Sequence, residues 1–141
     1  MSNFSIAYRV IYGDTDPMDV MYYSNYLRLF EIGRAELLRH SGLTYKLIED
    51  SGYLFPVVES HCKYIKPAVY DDLLAIIPRI DELKHASLSF DYMIIRKESG
   101  EELARGYTKH ACLSKNGKIT KFPEFIFEKL KEAKQFNCRY C

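Results

Sequence analysis

From Ser5 to Tyr12 the apolar and aromatic residues Ile6, Tyr8, Val10 and Tyr12 recur at every second position, which predicts a strand with one packed face. After a break rich in Asp, Gly and Pro the period lengthens. Tyr26, Phe30, Gly33 and Leu37 form one stripe at helical spacing, flanked by Leu27 and Leu38, while Arg28, Glu31 and Arg39 face elsewhere. Ser24 or Asn25 is placed to cap this helix, which runs to about His40 before Gly42 stops it. A glycine inside the stripe at position 33 costs about 1 kcal/mol of helix propensity, so it implies close approach of a neighbour such as a sheet wrapped around the helix. A short second helix is predicted over Thr44 to Ser51, then strands over Leu54 to Ile65, Leu73 to Leu83, Ser87 to Arg96 and Glu102 to Leu113. In the third of these, Leu88, Phe90, Tyr92 and Ile94 alternate with Ser87, Ser89, Asp91 and Met93, one face packed and one wetter. Lys115-Asn116-Gly117-Lys118 closes the strand region, and Pro123 opens an amphipathic helix carrying Phe125, Ile126 and Leu130.

One strand, one long apolar helix and four consecutive antiparallel strands make an α+β arrangement in which a curved five-stranded sheet wraps a central helix, with a further helix at the C-terminus. At 141 residues this reads as a single domain over 1–141, with a frayed tail from about residue 135. Its apolar runs are far shorter than a membrane span, and the N-terminal residues lack the basic and apolar regions of a signal peptide, so a cytoplasmic location is expected. Lys and Arg total 20 against 19 Asp and Glu, a net charge of +1 that gives no footprint for nucleic-acid binding.

The charged residues matter locally. Asp14, Asp16 and Asp19 lie in a turn-rich loop just ahead of the long helix, whose free backbone N–H groups attract negative charge. An anionic base would there face oxyanion donors. Each carboxylate also has a simpler reading as a loop brace bonded to nearby backbone, and for Asp14 that reading is preferred. Glu31 and Arg34, spaced i,i+3, read as a surface ion pair. His61 and His110 fall in strand runs and read as structural, and Cys62 and Cys112 as small buried hydrophobes. The Cys138/Cys141 pair lacks the partners of a zinc site, so no metal is expected. No Ser sits in a G-x-S-x-G elbow.

The loop and the element order together resemble the hotdog-fold acyl-CoA thioesterases of the 4-hydroxybenzoyl-CoA thioesterase type, including the bacterial enzymes associated with the Tol-Pal system. The resemblance runs from about Ser5 to Lys131. It is carried by Asp14-Thr15-Asp16-Pro17 with Val20, by Tyr22-Tyr23-Ser24-Asn25-Tyr26, by Phe30-Glu31, and by Tyr64-Ile65-Lys66-Pro67-Ala68 with Tyr70-Asp71-Asp72-Leu73.

The resemblance implies that Asp16 activates water or attacks the thioester carbonyl, and that the backbone N–H of Tyr23 polarises that carbonyl. Many relatives carry His where Tyr23 stands, and small residues where Met18 and Asp19 follow the catalytic Asp. A Gly at position 19 would allow unusual backbone angles, and Asp19 tolerates left-handed conformations better than most residues. Tyr22 and Tyr26 become acyl-pocket walls, and Lys84 and His85 align with the cluster that holds the nucleotide phosphates, although Ala86 replaces one expected cation. Lys63, Lys66, Arg96 and Lys97 are further candidates for phosphate contact. No cofactor is implied beyond CoA as part of the substrate; an acyl-carrier protein is the alternative carrier. A homodimer or tetramer is implied, since one such sheet exposes an edge that a second copy can extend. Two other functions stay open: a hydratase, which needs a catalytic His that the acidic loop lacks, and a non-catalytic acyl-CoA or acyl-carrier-protein binding module.

Overall fold

The computed structural model describes residues 3–138. In chain order the elements are strand β1 (Ile6–Arg9), helix α1 (Asn25–His40), helix α2 (Tyr45–Asp50), strands β2 (Tyr53–Leu54), β3 (Val57–Tyr64), β4 (Leu73–Leu83), β5 (Ser87–Arg96), β6 (Glu102–Ala111) and β7 (Leu113–Ser114), and helix α3 (Glu124–Lys134). Five strands pair antiparallel in the order β1-β4-β5-β6-β3, and β2 and β7 form a separate ribbon. This is the α+β sheet-on-helix arrangement expected from the patterning.

The predicted stripe on α1 is its buried face: Tyr26, Phe30, Gly33 and Leu37 are all inside, with Leu29 and Leu38 beside them. The Phe30 ring stacks on Tyr92 of β5 with centroids 4.3 Å apart. A Cβ on Gly33 would lie 2.9 Å from Ile76 Cγ2 and 3.5 Å from Pro78 Cβ, so β4 side chains occupy the space a side chain there would need. Leu27, by contrast, is 38% exposed and faces away from the core.

Two predicted strands are shorter than their apolar runs. Leu54 to Ile65 divides at Phe55-Pro56, where proline cannot donate to a ladder, so β2 pairs with β7 and β3 with β6. Glu102 to Leu113 divides at Cys112, whose N–H donates to the Ala86 carbonyl instead of continuing the sheet. The first strand ends at Arg9, and Tyr12–Asp14 forms a single 3-10 turn. Neither candidate cap on α1 acts as one: Ser24 occupies the cap position without a side-chain bond, and Asn25 Nδ2 donates to the Asp14 carbonyl at 2.9 Å.

The segment expected to fray beyond residue 135 is held as far as Asn137. Its side chain accepts from Phe4 N at 2.9 Å and donates to Phe4 O and Pro78 O at 2.8 and 2.6 Å. Pro78 is tolerated in β4 because β1 covers only Leu73 to Ile76, and the lone carbonyl beyond that cover is the one Asn137 fills. Cys138 is disulfide-bonded, and Cys141, the other cysteine of the C-x-x-C pair, lies outside the described residues.

A bulge in β3 sets which side chains face α1. Val57 pairs with His110 and Glu59 with Lys109, leaving Val58 as the extra residue. From there Ser60, Cys62 and Tyr64 pair with Thr108, Gly106 and Ala104, so Val57, Ser60, Cys62 and Tyr64 share the inner face. Paired residues point to the same side of a sheet, and this one points toward α1. Yet Val57 and Tyr64 are each 46% exposed, so the gap between α1 and β3 is an open groove.

Candidate active site

The acidic loop folds back on itself. Thr15 and Met21 form an isolated bridge, Asp16 N donates to Val20 O at 3.0 Å, and Asp19 N donates to Asp16 O at 2.9 Å. Asp19 sits at φ 63°, a left-handed conformation that Asp tolerates. The loop is pinned from below by Met21 N on Ala68 O and Tyr22 N on Asp14 O, both at 2.8 Å. Asp14 is 5% exposed, and its carboxylate accepts from Tyr8 Oη at 2.8 Å and Ile11 N at 3.0 Å. It is therefore a brace.

Asp16 is half-buried and makes a different set of contacts. Oδ1 accepts from Met18 N at 2.8 Å, and Oδ2 has no protein partner among the described residues. The carboxylate borders a cavity of about 280 Å3 with Met21, Tyr23, Tyr26, Tyr64 and Lys66. The amides of Tyr23 and Ser24, in the turn that opens α1, likewise donate to no protein acceptor among the described residues. Both lie in the turn immediately ahead of α1, where the helix backbone dipoles favour negative charge. One cavity thus joins a carboxylate oxygen without a partner to the end of a helix with free donors.

Aromatic side chains hold that junction. Tyr64 Oη donates to the Tyr23 carbonyl at 3.0 Å, and burial pushes the Tyr64 phenol up to about 12, so it remains a donor throughout the neutral range. Tyr26 is buried, packs edge-on to Tyr64 at 5.0 Å, and accepts from Ala68 N at 3.3 Å. Tyr22 lies against the Tyr23 ring at 4.8 Å but is 43% exposed and stands outside the cavity.

Lys84 and His85 are not brought to Asp16 within one chain. They sit at the β4–β5 hairpin, whereas Leu73, at the other end of β4, adjoins the Asp72 and Val10 backbone below the acidic loop. Eleven residues of strand separate the two ends by about 35 Å. Both side chains are exposed; Lys84 Nζ pairs with Glu82 at 3.5 Å, and His85 stacks on Phe127 at 6.0 Å. The cation that does border the Asp16 cavity is Lys66, held by Glu101 at 2.6 Å. Its neighbour Arg96 bonds Asp72 at 3.0 Å and Pro67 O at 3.2 Å. Tyr64 and Lys66 belong to a motif legible in the sequence, but the contact of Tyr64 with Tyr23 across 41 positions is not.

Arg34 corrects part of another expectation. The i,i+3 pair with Glu31 is present, at a long 4.0 Å, but Arg34 is 8% exposed and so an interior cation, not a surface one. His110 is structural as expected: Nε2 meets Thr108 Oγ1 at 2.8 Å and Nδ1 meets Phe55 O at 3.2 Å. Among the described residues no helix is long and apolar enough to cross a membrane.

A five-stranded antiparallel sheet packed on a long helix is the architecture of hotdog thioesterases, and the relatives are thioester hydrolases. The chain belongs to the thioesterase-like superfamily, whose family model matches residues 10–130. It is 34% identical over 113 residues to the acyl-CoA thioesterase YbgC of Haemophilus influenzae, covering 79% of this chain and 82% of that protein. A crystal structure of a protein from Aquifex aeolicus superposes with TM-score 0.85 at 32% identity, covering 90% of this chain and 98% of the other. The 1,4-dihydroxy-2-naphthoyl-CoA thioesterase Slr0204 from Synechocystis shares the fold with TM-score 0.85, at 23% identity and 98% coverage of both chains.

Proposed function

We propose that the protein hydrolyses an acyl-CoA thioester to free acid and CoA through Asp16, with the amide of Tyr23 holding the carbonyl oxygen as it becomes negative. The observation that carries this reading is the shared cavity: Asp16 Oδ2 and the Tyr23 amide are both without protein partners beside it. A binding module needs no carboxylate next to a thioester. A hydrolase needs one, either to take a proton from water or to attack the carbonyl carbon itself. Preorganised amides then stabilise the oxyanion without reorganising. The Haemophilus influenzae relative is an acyl-CoA thioesterase, which supports the same reaction class.

The active unit in this reading is a homo-oligomer. The groove beside Asp16 is open along β3, the sheet's free edge, and a second copy laid on that edge would close it. It would also offer Lys84 and His85, too far from Asp16 in their own chain, to a CoA bound by a neighbour.

The test is thiol release from a panel of short, long and aromatic acyl-CoAs by wild type and Asp16→Asn. The variant should retain its fold and substrate binding while kcat falls by about two or more orders of magnitude. Equal turnover by the variant would remove Asp16 from the chemistry, and binding without turnover by wild type would make the protein a binding module.

A further inference from the structure

The groove between α1 and β3 continues beyond the Asp16 cavity. Tyr23, Leu27, Glu31 and Arg34 are spaced i, i+4, i+8 and i+11, one stripe along α1. Opposite them the β3 bulge keeps Val57 and Ser60 on the same face as Tyr64. Tyr23 and Tyr64 border the Asp16 cavity, whereas Leu27, Glu31, Arg34, Val57, Ser60 and Thr108 border a second one of about 260 Å3. Two cavities thus lie along one helix and one strand.

The second has an apolar mouth and a polar floor. Leu27 and Val57 are its large apolar walls, and both are partly exposed. On the floor Thr108 Oγ1 is already used, bonded to Tyr92 Oη at 2.6 Å and His110 Nε2 at 2.8 Å. Arg34 is only partly satisfied. Its Nε is buried without a hydrogen-bond partner, its Nη1 reaches Tyr92 Oη only at 3.5 Å, and its Nη2 stands 4.0 Å from an exposed Glu31 carboxylate; the buried Tyr45 hydroxyl is the other neutral group that interacts with it. A guanidinium taken out of water needs acceptors, and its planar fork matches a carboxylate through two parallel bonds. Arg28 on the rim adds a second positive charge, so the cavity carries a net positive charge even with Glu31 counted.

We propose that this cavity is the far end of the acyl groove and that Arg34 there receives a terminal carboxylate, so that the preferred substrates are ω-carboxyacyl thioesters. The inference rests on the thioesterase reading for the position of the thioester. Eleven residues of helix separate Tyr23 from Arg34 by about 16 Å, shortened by the tilt of the arginine back toward the helix N-terminus, a span suited to a chain of about six to eight carbons. Acetyl and malonyl groups fall short of it.

The experiment compares adipoyl-CoA with hexanoyl-CoA and suberoyl-CoA with octanoyl-CoA, pairs that differ only in the terminal carboxylate. Wild type should favour each carboxylated member by about tenfold or more in kcat/KM, and Arg34→Gln should reduce that ratio by a similar factor, chiefly through KM. Calorimetric binding of the same pairs to Asp16→Asn decides the matter without turnover and without altering Arg34. Equal affinity within a pair overturns the inference. Efficient hydrolysis of hexanoyl-CoA with no preference for adipoyl-CoA also overturns it, and leaves the thioesterase reading standing. Preferential binding of adipoyl-CoA with no hydrolysis of any thioester overturns the thioesterase reading and supports the carboxylate subsite.

Discussion

Tyr64 holds Tyr23 in two ways, donating its hydroxyl to the Tyr23 carbonyl at 3.0 Å and meeting the Tyr23 ring edge-on at 6.4 Å. It thereby braces the residue whose amide is proposed to bind the oxyanion. Tyr64→Phe keeps the ring against Tyr26 and Tyr23 and loses the hydroxyl's bond to the Tyr23 carbonyl along with its interaction with Cys62, so steady-state kinetics should show kcat lower by about tenfold with KM within about threefold. His110 makes a second, different prediction. Burial above all, partly offset by its bond with the Phe55 carbonyl and reinforced by the Arg34 charge, pushes its pKa down to about 4 from the ordinary 6.5. The unfolded chain then takes up the proton more readily than the folded one. Stability is therefore complete above about pH 6.5 and is lost as pH falls toward 4, by up to about 3 kcal/mol. Urea midpoints at pH 7.5 and pH 4.5 should fall less between the two for His110→Gln than for wild type.

Gly106 of β6 lies between the Phe30 ring of α1 and the backbone of the neighbouring strand β3. A Cβ there would meet His61 O at 2.3 Å and Phe30 Cε2 at 2.4 Å, so the strand and the Phe30 ring share space that only a bare Cα leaves. Gly106→Ala should cost about 1–3 kcal/mol, read as a lower urea midpoint at unchanged slope. This dependence was not legible in the sequence, because position 106 interrupts a strand pattern without naming what approaches it. Gly33 was legible, since it interrupts a helical stripe whose other members are apolar. The same contrast runs through the site. The acidic loop and the start of α1 are contiguous, and short-range rules placed them correctly. Arg34 misled because Glu31 is its neighbour along the helix, whereas its nearest polar contact, Tyr92, is 58 residues away. Strand ends at Pro56 and Cys112 were blurred for a related reason: the apolar run continues while the hydrogen-bonding partner changes.

The molecule as a whole leaves one long boundary unfinished. Every residue of β3 is exposed or half-exposed, and Val57, Val58, Tyr64 and Ile65 present apolar surface along it. If a second copy completes this edge, sedimentation should give at least twice the chain mass, and dilution to the monomer should abolish turnover in step with dissociation; a fully active monomer would contradict it. At the opposite side, three hydrogen bonds join Asn137 to Phe4 and Pro78. Phe4 and Asn137, near the two ends of the described segment, are thereby neighbours in space. A short polar linker joining that segment's ends, with new ends opened at Gly100, a turn where an added Cβ would meet nothing within 4 Å, would give a circularly permuted protein in which α1 and the acidic loop sit in mid-sequence. Such a rearranged chain would show whether the order in which these pieces emerge matters to reaching the same architecture.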